Sequence, residues 1–277
     1  MVAKKVVNVA HRGASGYAPE NTMAAFDAGI QLGADVIEFD LRMSADGSLL
    51  AFHDPQLGRT TRPSRDRALV AEATLERVKG LSAGSWFNHR FPWHAREEYE
   101  REGVPTLEEI LVRYSGSVGL LIDLKDPSSS PAMVPRLIQV LEEHGLGDAI
   151  RSKHPLTVAS FCSRSLLEIR SSTDRPQLMQ LFDLTGPCGV AELRRAAGYA
   201  EAVGLWRDNL DPSLVTEAHE AGLGFYAYTV NEFDDLLRAV QVGVDGIITN
   251  FPDRLAKVLR RSDPQVRQRS RYTSLGN

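Results

Sequence analysis

The sequence contains very little cysteine, with Cys162 and Cys188 the only two among 277 residues. Two cysteines are too few for a disulfide framework, fit a reducing compartment, and give no zinc-binding pattern without paired histidines nearby. No apolar run approaches membrane-spanning length, and the first residues leave no room for a signal-peptide core and cleavage site. We therefore expect a cytoplasmic protein with no integral membrane association.

A strong excess of charge is also missing. The formal net charge of −4 argues against a general nucleic-acid binder and against a protein that binds anionic membranes. The hydrophobic share of 43% and the charged share of 25% are those of a soluble globular protein with a sizeable core. Composition indicates neither an oligomeric state nor a particular function.

Strand and helix patterns alternate along the whole chain. The strand candidates are 5–10, 35–41, 119–124, 157–161, 177–182, 201–206, 224–230 and 246–249. The helical patterns between them include 21–32, 132–144, 165–171, 212–221, 232–242 and 252–261. Eight strands separated by helices predict an α/β fold, a single (β/α)8 TIM barrel over residues 1–261. An open doubly wound sheet is the alternative, but no glycine-rich dinucleotide loop precedes a helix in the required context.

Three segments depart from this alternation. Residues 42–54 resemble a hairpin with Asp46-Gly47 at its turn, which would bring His53 over the barrel mouth. Residues 57–105 form an insertion after strand two that is rich in charged and aromatic residues. It predicts a small unit with its own core, a cap that touches the substrate's alcohol group, or a unit that is both. Residues 262–277 are polar and predict a disordered tail.

Carboxylates lie inside two of the predicted strands. Glu38 and Asp40 alternate with apolar residues and therefore share one face, and Asp123 and Lys125 share a face of the next strand. Burial of a charge is costly without a partner or a task. Carboxylates grouped in this way would repel one another unless a cation lies among them, and oxygen ligands suit Mg²⁺ or Ca²⁺.

Two histidines flank the first acidic strand. His11 ends an apolar run and is followed by Arg12, whose guanidinium matches phosphate geometry, and His53 precedes Asp54. Imidazoles exchange protons near neutral pH, so this set indicates phosphoryl transfer with a metal ion. The other histidines are expected to be structural or superficial: His89, His94, His144, His154 and His219.

Several further residues end strands or flank them. Ser160 and Trp206 are candidates for either the pocket wall or core packing, and Tyr228 is preferred over Tyr226 because it lies nearer a strand's carboxyl end. Asp245, before the last strand, is expected to be structural, and Asn250 is expected to hydrogen-bond to loops.

These motifs resemble the glycerophosphodiester phosphodiesterase family over about residues 5 to 258. The matching segments are His11-Arg12-Gly13, Pro19-Glu20-Asn21-Thr22, Gly33-Ala34-Asp35, Glu38-Phe39-Asp40, Asp46-Gly47, His53-Asp54, Arg59-Thr60-Thr61, Gly84-Ser85-Trp86-Phe87, Val104-Pro105-Thr106-Leu107-Glu108-Glu109 and Gly243-Val244-Asp245-Gly246-Ile247-Ile248-Thr249-Asn250 before Pro252.

The resemblance implies metal-dependent cleavage of a small glycerophosphodiester to glycerol 3-phosphate and an alcohol. It implies that His11 is the base and His53 the acid. The implied metal ligands are Glu38, Asp40 and Asp123. The charge of Arg12 and Lys125 predicts that they bind the phosphate, and the position of Tyr228 near the end of its strand predicts that it contacts the substrate. The sequence departs from the family pattern at two of these positions, with Asp123 in place of glutamate and Tyr228 in place of tryptophan.

Alternatives remain at this stage. The nucleophile is either water or the substrate's own 2-hydroxyl, which would give a cyclic phosphate that water then opens. The same histidines beside a more apolar pocket would make a lysophospholipase D-like enzyme or another lipid phosphodiesterase. A third hypothesis is a barrel that binds phosphodiesters or metal without turnover. Aspartate in place of the family's glutamate at Asp123 would then indicate that activity has been lost.

Overall fold

The computed structural model describes residues 5–145, 154–183 and 188–262. Its centre is one sheet of nine strands, in which eight parallel strands close into a barrel because the first strand pairs with both the second and the last. The strands are β1 Val7–Ala10, β2 Val36–Met43, β3 Leu49–Ala51, β4 Gly119–Leu124, β5 Leu156–Ser160, β6 Gln177–Phe182, β7 Ala202–Trp206, β8 Gly224–Tyr228 and β9 Gly246–Thr249. The predicted TIM barrel is confirmed, and the open sheet is wrong.

Helices connect the strands along the chain. They are α1 Met23–Gln31, α2 Leu75–Lys79, α3 Ser85–Arg90, α4 Leu107–Tyr114, α5 Met133–Glu143, α6 Ser163–Ser172, α7 Val190–Ala196, α8 Pro212–Glu220, α9 Phe233–Val242 and α10 Pro252–Ser262. The six predicted helices are present, and four more come in addition: α2 and α3 in the insertion, α4 and α7. A signal for α4 was available, since Thr106 and Glu109 form a reciprocal capping box at its start.

The alternation of β2 separates the core from the site. Ile37, Phe39 and Leu41 face outward and are fully buried beneath the helices, where the Phe39 ring lies 5.8 Å from that of Phe26 on α1. The side chains between them face the barrel interior. A cluster of apolar side chains from seven strands packs there: Val9, Val36, Leu121, Ala159, Met179, Leu181, Ala202 and Ile248. The barrel is therefore apolar inside, and its polar groups follow at the carboxyl ends of the strands.

The segment after β2 returns as predicted. Strand β3 pairs antiparallel with β2, and Gly47 takes the positive φ of +82° that the turn between them requires. His53 follows two residues after β3.

Residues 57–105 have apolar clusters of their own. One cluster joins β3 to the insertion through Leu50, Phe52, Leu57, Val70, Val78 and Val104. A second packs Phe87 and Tyr99 against Ala25 of α1. The first interpretation, a small unit with its own core, is therefore the one that the packing supports.

Two further expectations concern the ends of the barrel and of the chain. Asp245 accepts a hydrogen bond from the backbone nitrogen of Phe225 at 2.7 Å and lies 2.8 Å from Nε2 of His219, so it is structural as expected. Ser262 is the last residue of α10, and the predicted disordered tail beyond it lies outside the described residues. Within the described ranges, no helix is long and apolar enough to cross a membrane.

Candidate active site

The turn after β1 places the first histidine and the arginine. Arg12 and Gly13 both have left-handed backbones, with φ of +56° and +78°. A Cβ atom on Gly13 would lie 2.4 Å from the backbone carbon of Ala25, so only glycine fits this position. The turn directs the backbone nitrogen of Arg12 to Oε2 of Glu38, at 2.7 Å. The geometry of this turn therefore requires the glycine that follows His11 and Arg12.

The three predicted ligands come together. One carboxylate oxygen from each of Glu38, Asp40 and Asp123 lies within 4.8 Å of the others, and all three residues are buried. The sheet register causes this proximity, since Asp40 on β2 is the direct partner of Asp123 on β4. Oδ1 of Asp123 is buried and accepts no hydrogen bond from any described residue. A buried oxygen without a donor fits a cation ligand, so these residues fit an oxygen-bound divalent metal.

Two cationic side chains offset part of this negative charge. Nε of Arg12 lies 3.0 Å from Oδ2 of Asp40, and Nζ of Lys125 lies 3.0 Å from Oδ1 of Asp40 while also pairing with Asp123. Although burial alone would raise the pKa of Asp40, the charges of Arg12 and Lys125 lower it well below its usual range. Burial, with the neighbouring charge of Asp40, raises the pKa of Glu38. Asp40 is therefore the best-compensated member of the three.

Asn21 is a site residue that sequence reasoning did not identify. Its Nδ2 donates to Oδ2 of Asp40 at 2.8 Å, and its Oδ1 accepts from the backbone nitrogen of Asp40 at 3.2 Å. Asn21 also has a left-handed φ of +57°, just before the N-cap Thr22 of α1. Its side chain therefore fixes Asp40 from the helix side. The sequence signal for Asn21 was its place in the segment Pro19-Glu20-Asn21-Thr22, which resembles the family but did not indicate a role for the amide.

Each of the two histidines is held through Nδ1. Nδ1 of His11 lies 2.7 Å from Oδ1 of Asn250, and Nδ1 of His53 lies 2.7 Å from Oδ1 of Asp54. Both residues line the same cavity, so Nε2 is the nitrogen that each has available for a ligand. Burial, with the adjacent charge of Arg12, lowers the pKa of His11 to about 3. His11 is therefore neutral near pH 7, and Asn250 is a second residue whose role was not anticipated.

The cavity at the barrel mouth has a volume of about 410 Å³, within the usual range for small-molecule sites. Its polar wall consists of His11, Arg12, Glu38, His53, Asp123, Lys125, Asp183 and Thr229, and its apolar wall of Leu121, Ala159, Phe161, Leu181, Trp206, Tyr228 and Ile248. Seven of the eight predicted site residues are thus at the cavity, and Asp40 lies buried behind them. None of the five other histidines lines it.

Tyr228 lies at the centre of the cavity's aromatic wall. The Tyr228 ring stands nearly perpendicular to those of Phe161 and Trp206, at centroid distances of 6.2 and 5.9 Å. Its hydroxyl donates to the backbone oxygen of Phe182 at 2.6 Å, so this polar group stabilises the fold. Ser160 is fully buried and is not a wall residue, whereas Trp206 is one.

The insertion does not line the cavity. No described residue of 57–105 is among the residues of its wall. The insertion's aromatic rings pack among themselves and against α1, with Phe87 at 4.9 Å from Phe91 and 5.9 Å from Tyr99. The interpretation of the insertion as a cap over the substrate is therefore not supported.

A TIM barrel whose mouth combines buried carboxylates, two imidazoles, an arginine and a lysine belongs to a recognisable class. The carboxylates suit a divalent cation, the cationic side chains suit an anionic ester, and the imidazoles suit proton transfer. The fold and the site together define a metal-dependent hydrolase of phosphate esters.

Comparisons with known proteins identify the family within this class. The model of the glycerophosphoryl diester phosphodiesterase family matches residues 11–254. The chain is 35% identical over 256 residues to a glycerophosphodiester phosphodiesterase of Bacillus subtilis, covering 92% of this chain and 86% of that protein. It is 31% identical over 262 residues to one of Caldanaerobacter subterraneus, covering 93% and 99%. A phosphodiesterase of Oleispira antarctica, solved in complex with the product sn-glycerol-3-phosphate, has 26% identity and a TM-score of 0.79, covering 92% and 97%.

The chain therefore belongs to the glycerophosphoryl diester phosphodiesterase family, and the resemblance of its motifs is confirmed. As a member of that family it is an enzyme, a hydrolase of phosphoric diesters. The family depends on a divalent metal, and the chain has a buried acidic triad that can hold one.

The lowered pKa of His11 predicts a pH dependence of stability. As pH falls from the ordinary histidine pKa of 6.5 to about 3, the unfolded chain gains a proton at this position and the native protein does not. Stability is then lost across this window, by up to about 1.4 kcal/mol per pH unit, the slope of one proton. Urea unfolding with chelator should show this extra slope in the wild type relative to His11→Gln. Parallel slopes would contradict it, since the carboxylates titrate in both proteins.

Proposed function

We propose that Glu38, Asp40 and Asp123 hold one divalent cation, Mg²⁺ or Ca²⁺, at the barrel mouth, and that this site hydrolyses a glycerophosphodiester to glycerol 3-phosphate and an alcohol. The observation that carries the proposal is the buried triad of oxygens within 4.8 Å, with Oδ1 of Asp123 lacking a donor among the described residues. Membership of the family supports the reaction. The Oleispira antarctica relative, which binds sn-glycerol-3-phosphate, supports the product.

The roles of the charged residues follow from their positions. A bound cation would polarise a phosphoryl oxygen. Arg12 and Lys125 both line the cavity beside the triad, and we assign them to the remaining negative charge of the phosphate. A guanidinium binds phosphate oxygens in pairs, whereas an ammonium acts as a point charge.

The two histidines have different partners, and this difference supports different roles. His11 is paired with the neutral amide of Asn250 and is itself neutral near pH 7, the form in which a base accepts a proton. His53 is paired with the carboxylate of Asp54, which fixes its tautomer and orients the ring so that Nε2 faces the cavity. We therefore assign His11 as the base that activates the nucleophile and His53 as the acid that protonates the departing alkoxide.

A lipid phosphodiesterase on the same barrel is less well supported. The aromatic insertion is a possible source of a lipid-binding surface, but its rings pack against α1 and do not line the cavity. The apolar wall of the cavity comes from the barrel itself, and a volume of about 410 Å³ suits a small diester. Small water-soluble glycerophosphodiesters are therefore the substrate class that we propose.

Release of glycerol 3-phosphate from glycerophosphocholine tests the metal requirement. We expect no release from protein stripped with chelator and full release when Mg²⁺ or Ca²⁺ is added back. Without a cation, the carboxylates of the triad would repel the negatively charged phosphate of the substrate. Undiminished release in chelator would contradict the proposed metal site. Hydrolysis of long-chain lysophospholipids alone, detected as release of the headgroup alcohol with a lysophosphatidic acid as the other product, would contradict the proposed substrate class.

Substitution of the proposed acid gives a second prediction. We expect His53→Ala to lower kcat by roughly two to four orders of magnitude, the usual contribution of a positioned acid or base, with little loss of stability. The matched control is His89→Ala, an exposed histidine of the insertion that does not line the cavity. Near-normal turnover by His53→Ala would remove His53 from the reaction.

A further inference from the structure

Arg59, near the start of the insertion, binds two carboxylates at once. Its Nη1 and Nη2 donate to the two oxygens of Glu20 at 3.0 and 2.7 Å. Its Nη2 and Nε also bind the two oxygens of Asp54, the former at 3.0 Å. Arg59 thus forms a fork with each carboxylate, the arrangement that fixes orientation most strongly. The side chains of Glu20 and Asp54 are only 13% and 20% exposed, whereas that of Arg59 is 46% exposed, so the two carboxylates are shielded from solvent and the guanidinium closes over them from the outside.

Each of these carboxylates holds a different part of the candidate active site. Asp54 holds Nδ1 of His53 at 2.7 Å. Glu20 accepts a hydrogen bond from Nη1 of Arg12 at 2.8 Å. One guanidinium therefore joins the residue assigned as the acid to the residue assigned to the phosphate.

The backbone around Arg59 is fixed by the insertion. Leu57 is 1% exposed within the insertion's apolar cluster, and its nitrogen donates to Ala68 at 2.9 Å. The nitrogen of Gly58 donates to Oγ1 of Thr61 at 2.8 Å. Gly58 has a φ of +103°, and a Cβ there would lie 2.3 Å from the backbone oxygen of Asp66. The direction of Arg59 therefore depends on the folded insertion.

We propose that Arg59 is a positioning residue, through which the insertion orients His53 for proton donation and Arg12 for phosphate binding. The insertion then serves as a brace for the site. Without the guanidinium, Asp54 and Glu20 would lose their common partner and repel each other, and the His53 ring would lose its fixed orientation. The inference rests on the proposed role of His53 as the acid.

Two substrates with different leaving groups test this role. Choline leaves as a basic alkoxide that needs a proton, whereas p-nitrophenolate leaves without one. We expect Arg59→Gln to lower kcat roughly 10- to 100-fold on glycerophosphocholine, the usual effect of losing a supporting hydrogen bond at a site, and less than about 3-fold on the p-nitrophenyl diester of glycerol 3-phosphate. A role in stability alone would lower both rates equally.

The control variants separate the possible outcomes. Arg101→Gln removes an exposed ion pair with Glu97 elsewhere in the insertion and should leave both rates unchanged. Arg59→Lys has one ammonium for two carboxylates, so it should lower the rate on glycerophosphocholine selectively, but by less than Arg59→Gln. It tests the proposal if Arg59→Gln fails to fold.

His53→Ala distinguishes failure of the inference from failure of the proposed function. If His53→Ala affects both substrates equally, the acid role itself is wrong. If His53→Ala affects the choline ester selectively and the Arg59 variants do not, His53 is the acid but the positioning role of Arg59 is wrong.

Discussion

Mutual repulsion among three buried carboxylates is the constraint to which the barrel mouth is adapted. Burial of one unpaired charge already costs several kcal/mol, and here Glu38, Asp40 and Asp123 lie within 4.8 Å of one another. Arg12 and Lys125 compensate Asp40 on both of its oxygens. The compensation leaves Oδ1 of Asp123 without a donor among the described residues. The three carboxylates thus form a group that can hold a cation.

The same constraint explains the loops around the triad. A left-handed turn brings the backbone nitrogen of Arg12 to Glu38, and a second left-handed residue, Asn21, brings its amide to Asp40. Strained backbone of this kind persists only where the surroundings fix it. Beyond these, charges alternate outward through Glu20 and Arg59. The electrostatics of the triad therefore reach from the barrel into the insertion.

Much of this was predictable because the signals are local. Alternation along β2 assigned Glu38 and Asp40 to one face without any knowledge of the fold, and the recurrence of strand and helix patterns predicted the barrel. The bond from Arg59 to Glu20 spans 39 positions and that from His11 to Asn250 spans 239. Such contacts depend on the packing of separate segments, and no residue in isolation indicates them. The orientation of the Tyr228 hydroxyl was not predictable for the same reason, since a tyrosine hydroxyl at this position can face either a ligand or a backbone oxygen.

Calorimetric titration of the chelator-treated protein with Mg²⁺ and with Ca²⁺ tests the central claim most directly. The account predicts one cation for each chain in the wild type. It also predicts that Asp40→Asn, which keeps the shape of the side chain but removes its charge, binds at least about 10-fold more weakly, because a ligand and its charge are lost. Binding of equal strength and stoichiometry in the wild type and in Asp40→Asn would contradict the account, since the cation would then lie outside the buried triad.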